Sequence, residues 1–312
     1  MTIGFLNAFH WEQLYNTQLI QGSYDVIDRT PAWRVNQSRL MGPSILKIMT
    51  LAGISKWWSM RLFTIFFVLI NNFLFAKCIS ILSDSKYHIL NSLLVLNAFF
   101  IISQDVWLYV WDFIDVTFFI LYGFIILKKD FIKFLPFINF LHIFNRETAL
   151  IMASFFIIRL FLEKNKNIKH LIKDRLFYWL SFNFLFGVSY TYFSRKLLFI
   201  KQSELTGGGQ DLNNNFLGGN WITPSLNYST LFNGETVSNF IILFSVFLVV
   251  ITIIRKYSTF NTPEKYLALS TLLNIVPVFL FGIFIETRQY FPSLVTLTYL
   301  IFSVYNSNSV KE

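Results

Sequence analysis

Residues 135–162, LPFINFLHIFNRETALIMASFFIIRLFL, are apolar at both ends and carry His142, Asn145, Arg146 and Glu147 at the centre. Ionisable side chains at membrane depth are costly, and they persist where they face a polar cavity, a partner or a pathway. The arrangement expected for this run is a hairpin of two short helices, at 131–144 and 147–162. It enters the bilayer from one side, presents Asn145, Arg146 and Glu147 near the other, and returns.

The rest of the chain suits a membrane setting. Hydrophobic residues make up 54% of the 312 and charged residues only 14%, whereas soluble domains carry about 25% charged residues. Apolar runs approaching the roughly 20 residues that cross a bilayer as a helix are expected at 60–82, 87–104, 106–127, 176–199, 237–254, 265–285 and 290–305. The short alternating segments of a membrane β-barrel do not occur in the sequence. The expected fold is therefore all-α: a polytopic transmembrane helical bundle of eight to nine membrane segments including the hairpin, forming one domain over 1–312. A net charge of +9 is read as basic cytoplasmic loops, not as a nucleic-acid surface. The single Cys78 excludes disulfides within the chain and thiolate zinc clusters.

Residues 1–59 do not read as a span. Phe5, Phe9, Leu14 and Ile20 recur at loosely helical spacing, as in a helix lying on a membrane surface. The following QGSYDVIDRTPAWRVNQSRLMGP supplies turn residues, 44–54 a short helix, and Trp57 and Trp58 an interfacial pair. Lysines and arginines cluster at 128–133, 163–175 and 255–265. A hairpin at 135–162 places all three clusters on the cytoplasmic side, as the distribution of basic loops requires. It leaves 1–59, the 105–115 turn, the hairpin tip, the 200–236 loop and 286–292 outside, with 306–312 as a cytoplasmic tail. The basic 1–59 region, lying outside, leads us to expect a further apolar segment upstream.

With that topology the unusual polar groups gather on one face. They are Asp25, Asp28 and Arg39 from the N-terminal region, Asp112 and Asp115 from the second outer turn, Asn145, Arg146 and Glu147 from the hairpin, and Glu286 and Arg288 from GIFIETRQYFP. Asp112 and Asp115, spaced i and i+3, share a helical face. Such a pair suits a divalent cation, Mg or Mn, or a general base beside a second acid; it equally suits a helix cap and a salt-bridged helix end. Arginine binds phosphate oxygens in bidentate fashion, so Arg39, Arg146 and Arg288 are candidate binders of a lipid-phosphate headgroup. Pairs of Glu147 with Arg288, or Arg146 with Glu286, would serve as structural glue instead. His142 is expected to be a hydrogen-bonded packing residue. HExxH, GxSxG and GxGxxG are absent from the sequence.

Three segments carry a family resemblance: Ser38-Arg39-Leu40-Met41-Gly42-Pro43, Asn145-Arg146-Glu147-Thr148-Ala149, and Glu286-Thr287-Arg288-Gln289-Tyr290-Phe291-Pro292. Together they resemble the GT-C superfamily of integral-membrane glycosyltransferases, especially the bacterial members that use polyprenyl-phosphate sugars. The resemblance implies inversion at the anomeric carbon, a carboxylate general base in the first outer loop, and departure of the polyprenyl phosphate. It puts Asp25 first and Asp28 second for the base. The partners it implies are membrane lipid, a polyprenyl-phosphate-linked sugar and a glycan, lipid or protein acceptor, with the site on the outer face of a cytoplasmic membrane. Two rival functions fit a multispanning chain: an O-antigen-type polysaccharide polymerase or ligase, and a transporter or flippase for lipid-linked sugars. The large 200–236 loop favours the former; the lack of an internal repeat counts against the latter.

Overall fold

In a computed structural model the protein is described over residues 16–28, 38–102, 108–163, 174–197, 236–281 and 287–309. Its described elements are all helical, in the order α1 (Asn16–Ile27), α2 (Met41–Leu51), α3 (Lys56–Leu82), α4 (Lys86–Ile102), α5 (Val110–Leu127), a 3-10 turn (Lys129–Phe134), α6 (Leu135–Ile143) and α7 (Thr148–Glu163). There follow α8 (Arg175–Leu197), α9 (Thr236–Lys256), a 3-10 turn (Tyr257–Thr259), α10 (Thr262–Phe281), a 3-10 turn (Thr287–Tyr290) and α11 (Phe291–Ser309). No strand occurs among the described residues, in keeping with the all-α expectation.

Among the described residues two helices are long and apolar enough to cross a membrane: α3, with 27 residues, and α5, with 18. At about 1.5 Å rise per residue they extend roughly 40 and 27 Å. The hairpin helices are shorter, nine residues in α6 and sixteen in α7, or about 14 and 24 Å. Neither alone matches a hydrocarbon layer about 30 Å thick.

The chain divides into two compact units. The first comprises Met1–Phe73, Val106–Phe118 and Phe131–Asn220, the second Leu74–Asp105, Phe119–Asp130 and Trp221–Glu312. In the first, α1 packs on α2, and α8 packs on both α6 and α7. Gly187 of α8 allows a close approach, because a Cβ there would lie 2.6 Å from Leu150 Cδ2 of α7. The buried face of α7 includes Ala149, Met152, Phe156 and Leu160 at three- and four-residue steps, the spacing of one helical stripe. Polar side chains also join helices here. Asn71 Nδ2 of α3 donates to the Phe113 carbonyl of α5 (3.0 Å), and Thr117 Oγ1 donates to Asn71 Oδ1 (2.6 Å).

In the second unit α11 packs against α10 and α4. Ile275, Val278 and Tyr290 form a buried cluster flanked by Leu243, Val246 and Val250 of α9. A capping box opens α10: Glu264 N–H donates to Asn261 Oδ1 (3.0 Å) and Asn261 N–H to Glu264 Oε2 (2.8 Å). The second Glu264 oxygen accepts Ser303 Oγ of α11 at 3.2 Å.

One stretch differs from the sequence expectation. The segment from Gln21 to Ile27 was expected as part of a turn-rich connection, but it is helical. Its polar composition hid an inward face of Ser23, Tyr24 and Val26. Tyr24 Oη donates to the Leu46 carbonyl of α2 at 3.2 Å, so tertiary packing overrides weak local propensity. The helix expected at 44–54 is displaced toward Met41, with Pro43 in its first turn, where proline is tolerated.

Candidate functional site

The first unit concentrates its charges where three segments meet: the residues before α2, the N-terminal turns of α5, and the turn between α6 and α7. That last turn is tight. α6 ends at Ile143, and the N–H groups of Asn145 and Arg146 return to the His142 carbonyl (2.9 and 3.1 Å). Asn139 Nδ2 bridges to the Ala149 carbonyl (2.8 Å) and Met41 N–H donates to the Phe144 carbonyl (3.0 Å). These bonds anchor the tip to both helices of the hairpin and to the start of α2. Asn145, fully buried, donates to the Trp111 carbonyl at 3.0 Å.

At the start of α5, Asp112 sits in the first turn and accepts the Tyr109 N–H (2.9 Å). A carboxylate there satisfies an orphan donor and complements the helix dipole. Asp112 Oδ1 also accepts Arg146 Nη1 at 2.9 Å, and Asp115 Oδ2 lies 3.3 Å from the same nitrogen. Asp115 Oδ1 contacts His142 Nε2 (2.6 Å) and accepts Thr148 Oγ1 (2.7 Å). His142 and Asp115 are both 0% exposed, and the imidazole stacks on Phe118 with centroids 4.4 Å apart. Charges this far from water are retained only when paired and hydrogen-bonded, a condition this cluster meets.

Beside it, Glu147 accepts Ser38 Oγ (2.9 Å) and forms an ion pair with Arg39 Nη2 (3.5 Å). The Arg39 guanidinium lies over the Trp111 ring, 5.2 Å from its centroid, within cation–π range. Tyr190 Oη of α8 donates to the Ser38 carbonyl at 2.9 Å.

Of the expected site residues, Arg39, Asp112, Asp115, Asn145, Arg146 and Glu147 are therefore brought together in one unit. Asp25 and Asp28 stand apart, on α1. Asp28 forms an exposed pair with Lys47 (3.3 Å). Asp25 is half-buried beside Asp28 and Lys56; burial first, then the Asp28 carboxylate, raises its pKa above the usual carboxylate value, and Lys56 opposes them. Glu286 lies outside the described residues, as does the Arg288 side chain, although the Arg288 backbone belongs to the Thr287–Tyr290 turn.

In the first unit Arg146 holds Asp112 and Asp115, and Glu147 pairs with Arg39; the expected pairs with Glu286 and with the Arg288 side chain involve groups outside the described residues. Among the described residues no group of three or more His, Cys, Asp or Glu is arranged for a metal ion. Asp112 and Asp115 could take a divalent cation only by giving up Arg146 Nη1. Ser38 and Thr148 lay in the resembling segments without a role assigned to them, and Tyr190 was not singled out, because hydroxyls carry no pattern signal. Arg159 was also missed. It is 1% exposed within α7 and donates from Nε to Glu163 at 3.1 Å, and a charge inside the apolar 151–162 run was the signal available.

Comparison with protein-family models, with curated proteins and with solved structures returned no match.

Proposed function

We propose that the protein is a multi-pass membrane glycosyltransferase that moves a sugar from a polyprenyl-phosphate donor to an extracytoplasmic acceptor with inversion. The observation that carries this reading is the convergence of Arg39 and Arg146 on the N-terminal turn of α5, each guanidinium held by carboxylates contributed from another segment. A departing phosphate develops charge on its oxygens, and fixed guanidinium groups in a water-poor site stabilise it most.

The reaction requires an acceptor hydroxyl to attack the anomeric carbon while the bond from that carbon to the phosphate oxygen breaks. The bonding electrons leave with the phosphate, and a carboxylate takes the hydroxyl proton. Asp25, with Asp28 second, is assigned as that base from the resemblance alone, the two standing at the C-terminal end of α1. Arg39 and Arg146 are assigned to the phosphate, with Glu147 and Asn145 holding the tip that presents Arg146. Glu286 and Arg288 are assigned to the substrate from the resemblance alone.

The lipid setting draws support from exposed apolar stripes. Leu62, Phe66, Leu69 and Phe73 lie exposed at four-, three- and four-residue steps along α3, as do Tyr178, Phe182 and Leu185 along α8. A soluble protein rarely leaves such contiguous apolar faces open, and a donor lipid tail needs lateral access between helices.

The decisive experiment is transfer of radiolabelled sugar from a polyprenyl-phosphate sugar by the protein in membrane vesicles. Asp25→Asn should abolish transfer at unchanged membrane abundance. Wild-type turnover in that variant would remove Asp25 as base, and absence of any transfer with a panel of hexose and pentose donors would remove the enzymatic reading.

A further inference from the structure

We propose that His142 is a positioning residue that, through Asp115, fixes which edge of Arg146 receives the phosphate; this rests on the transferase reading above. Arg146 places a single nitrogen, Nη1, between both carboxylates, 2.9 Å from Asp112 Oδ1 and 3.3 Å from Asp115 Oδ2. Its Nε and Nη2 make no hydrogen bond among the described residues, and its side chain keeps 12% exposure. A guanidinium is a rigid planar fork. Once Nη1 is held at two points the plane is set, and the Nε–Nη2 edge is the pair of parallel donors left for a bidentate oxyanion.

Asp115 can orient Arg146 only while its own carboxylate is fixed. Its Oδ1 is taken by His142 Nε2 (2.6 Å) and Thr148 Oγ1 (2.7 Å), which turns Oδ2 toward Arg146. His142 is wholly buried and stacked on Phe118, so it has no path to substrate. Its imidazole Nε2 contacts Asp115 and lies 3.2 Å from Thr148 Oγ1, itself a donor to Asp115, so its reach toward Arg146 runs through the Asp115 carboxylate. The two residues lie 27 positions apart in the chain, so no local rule of sequence couples them.

The test is binding of farnesyl phosphate, with farnesol as the uncharged control, to the full chain in detergent micelles. The wild type should prefer the phosphate. His142→Leu should weaken farnesyl phosphate about tenfold, the scale of one charge-assisted hydrogen bond, and leave farnesol unchanged. His142→Gln, whose amide can still donate to Asp115, should stay within about threefold of wild type on the same scale. Added to Arg146→Gln, His142→Leu should cost nothing further, a non-additivity that general loosening of the fold would not produce. Should His142→Leu fail to accumulate, Thr148→Val removes the other Oδ1 donor and carries the same expectation. Wild-type affinity in His142→Leu, or a full additional loss on the Arg146→Gln background, would overturn the positioning role while leaving the transferase reading intact. A wild type that binds farnesol and farnesyl phosphate alike would remove both.

Discussion

Asp25 illustrates how a single residue's surroundings set its chemistry. Burial and the neighbouring Asp28 raise its pKa, and Lys56 pulls it back. The sign follows from linkage: a carboxyl that holds its proton more tightly when folded contributes stability that is complete at low pH and lost as pH rises through the folded pKa. As a base it works only when deprotonated, so the acid limb of a kcat/KM profile should lie above the ordinary aspartate range. Lys56→Met should move that limb further up and Asp28→Asn should bring it back down; a pH–rate profile of the three proteins checks both shifts. A limb that ignores both substitutions would belong to a different group. Asp28 itself, exposed and paired with Lys47, adds little to stability.

Helices here are joined by close backbone approach and by caps, and each kind of junction can be tested. Gly42, at the start of α2, faces α5 so closely that a Cβ would lie 2.7 Å from Val110 Cγ2 and 3.3 Å from the Trp111 nitrogen. A β-branched side chain and a backbone atom cannot swing aside, so Gly42→Ala should destabilise the protein by about 1–3 kcal/mol. Thermal unfolding in detergent measures this, and an unchanged midpoint would mean α2 is free to shift. In the second unit, Glu264 completes a capping box and binds Ser303. Its replacement by Ala should cost about 1–3 kcal/mol, combining the lost cap with the lost bond to the half-buried Ser303 hydroxyl, whereas Gln should recover part of that loss.

For the whole molecule, the proposed transferase needs a hairpin at 135–162 whose flanks return to the same side of the membrane. The lone Cys78 is buried, which leaves a quiet background for cysteine labelling. Cysteines placed at exposed Lys133 and Arg175 should react only from the cytoplasmic side, and those at exposed Asp28 and Ser44 only from outside. Labelling of Lys133 and Arg175 from opposite faces would mean that the 135–162 run crosses once, and the outward-facing site would be lost with it.

The apolar runs and the hairpin break were legible in the amino-acid order. The expected 60–82 and 106–127 segments correspond to Lys56–Leu82 and Val110–Leu127, and the break at Asn145-Arg146-Glu147 separates α6 from α7. These are local properties, because hydropathy and helix interruption are fixed by consecutive residues. The part of α1 from Gln21 onward was not legible, since this polar stretch is held by packing against Leu46. Nor was the choice of ion-pair partners: Glu147 meets Arg39, 108 positions away, and Arg146 meets Asp112 and Asp115, 34 and 31 positions away. Sequence alone determined that acids and arginines would have to be sheltered together in an otherwise apolar chain. Which acid holds which arginine was decided by the tertiary structure, because in a low-dielectric interior a pairing depends on ångström-scale approach between segments, and no periodicity encodes that approach.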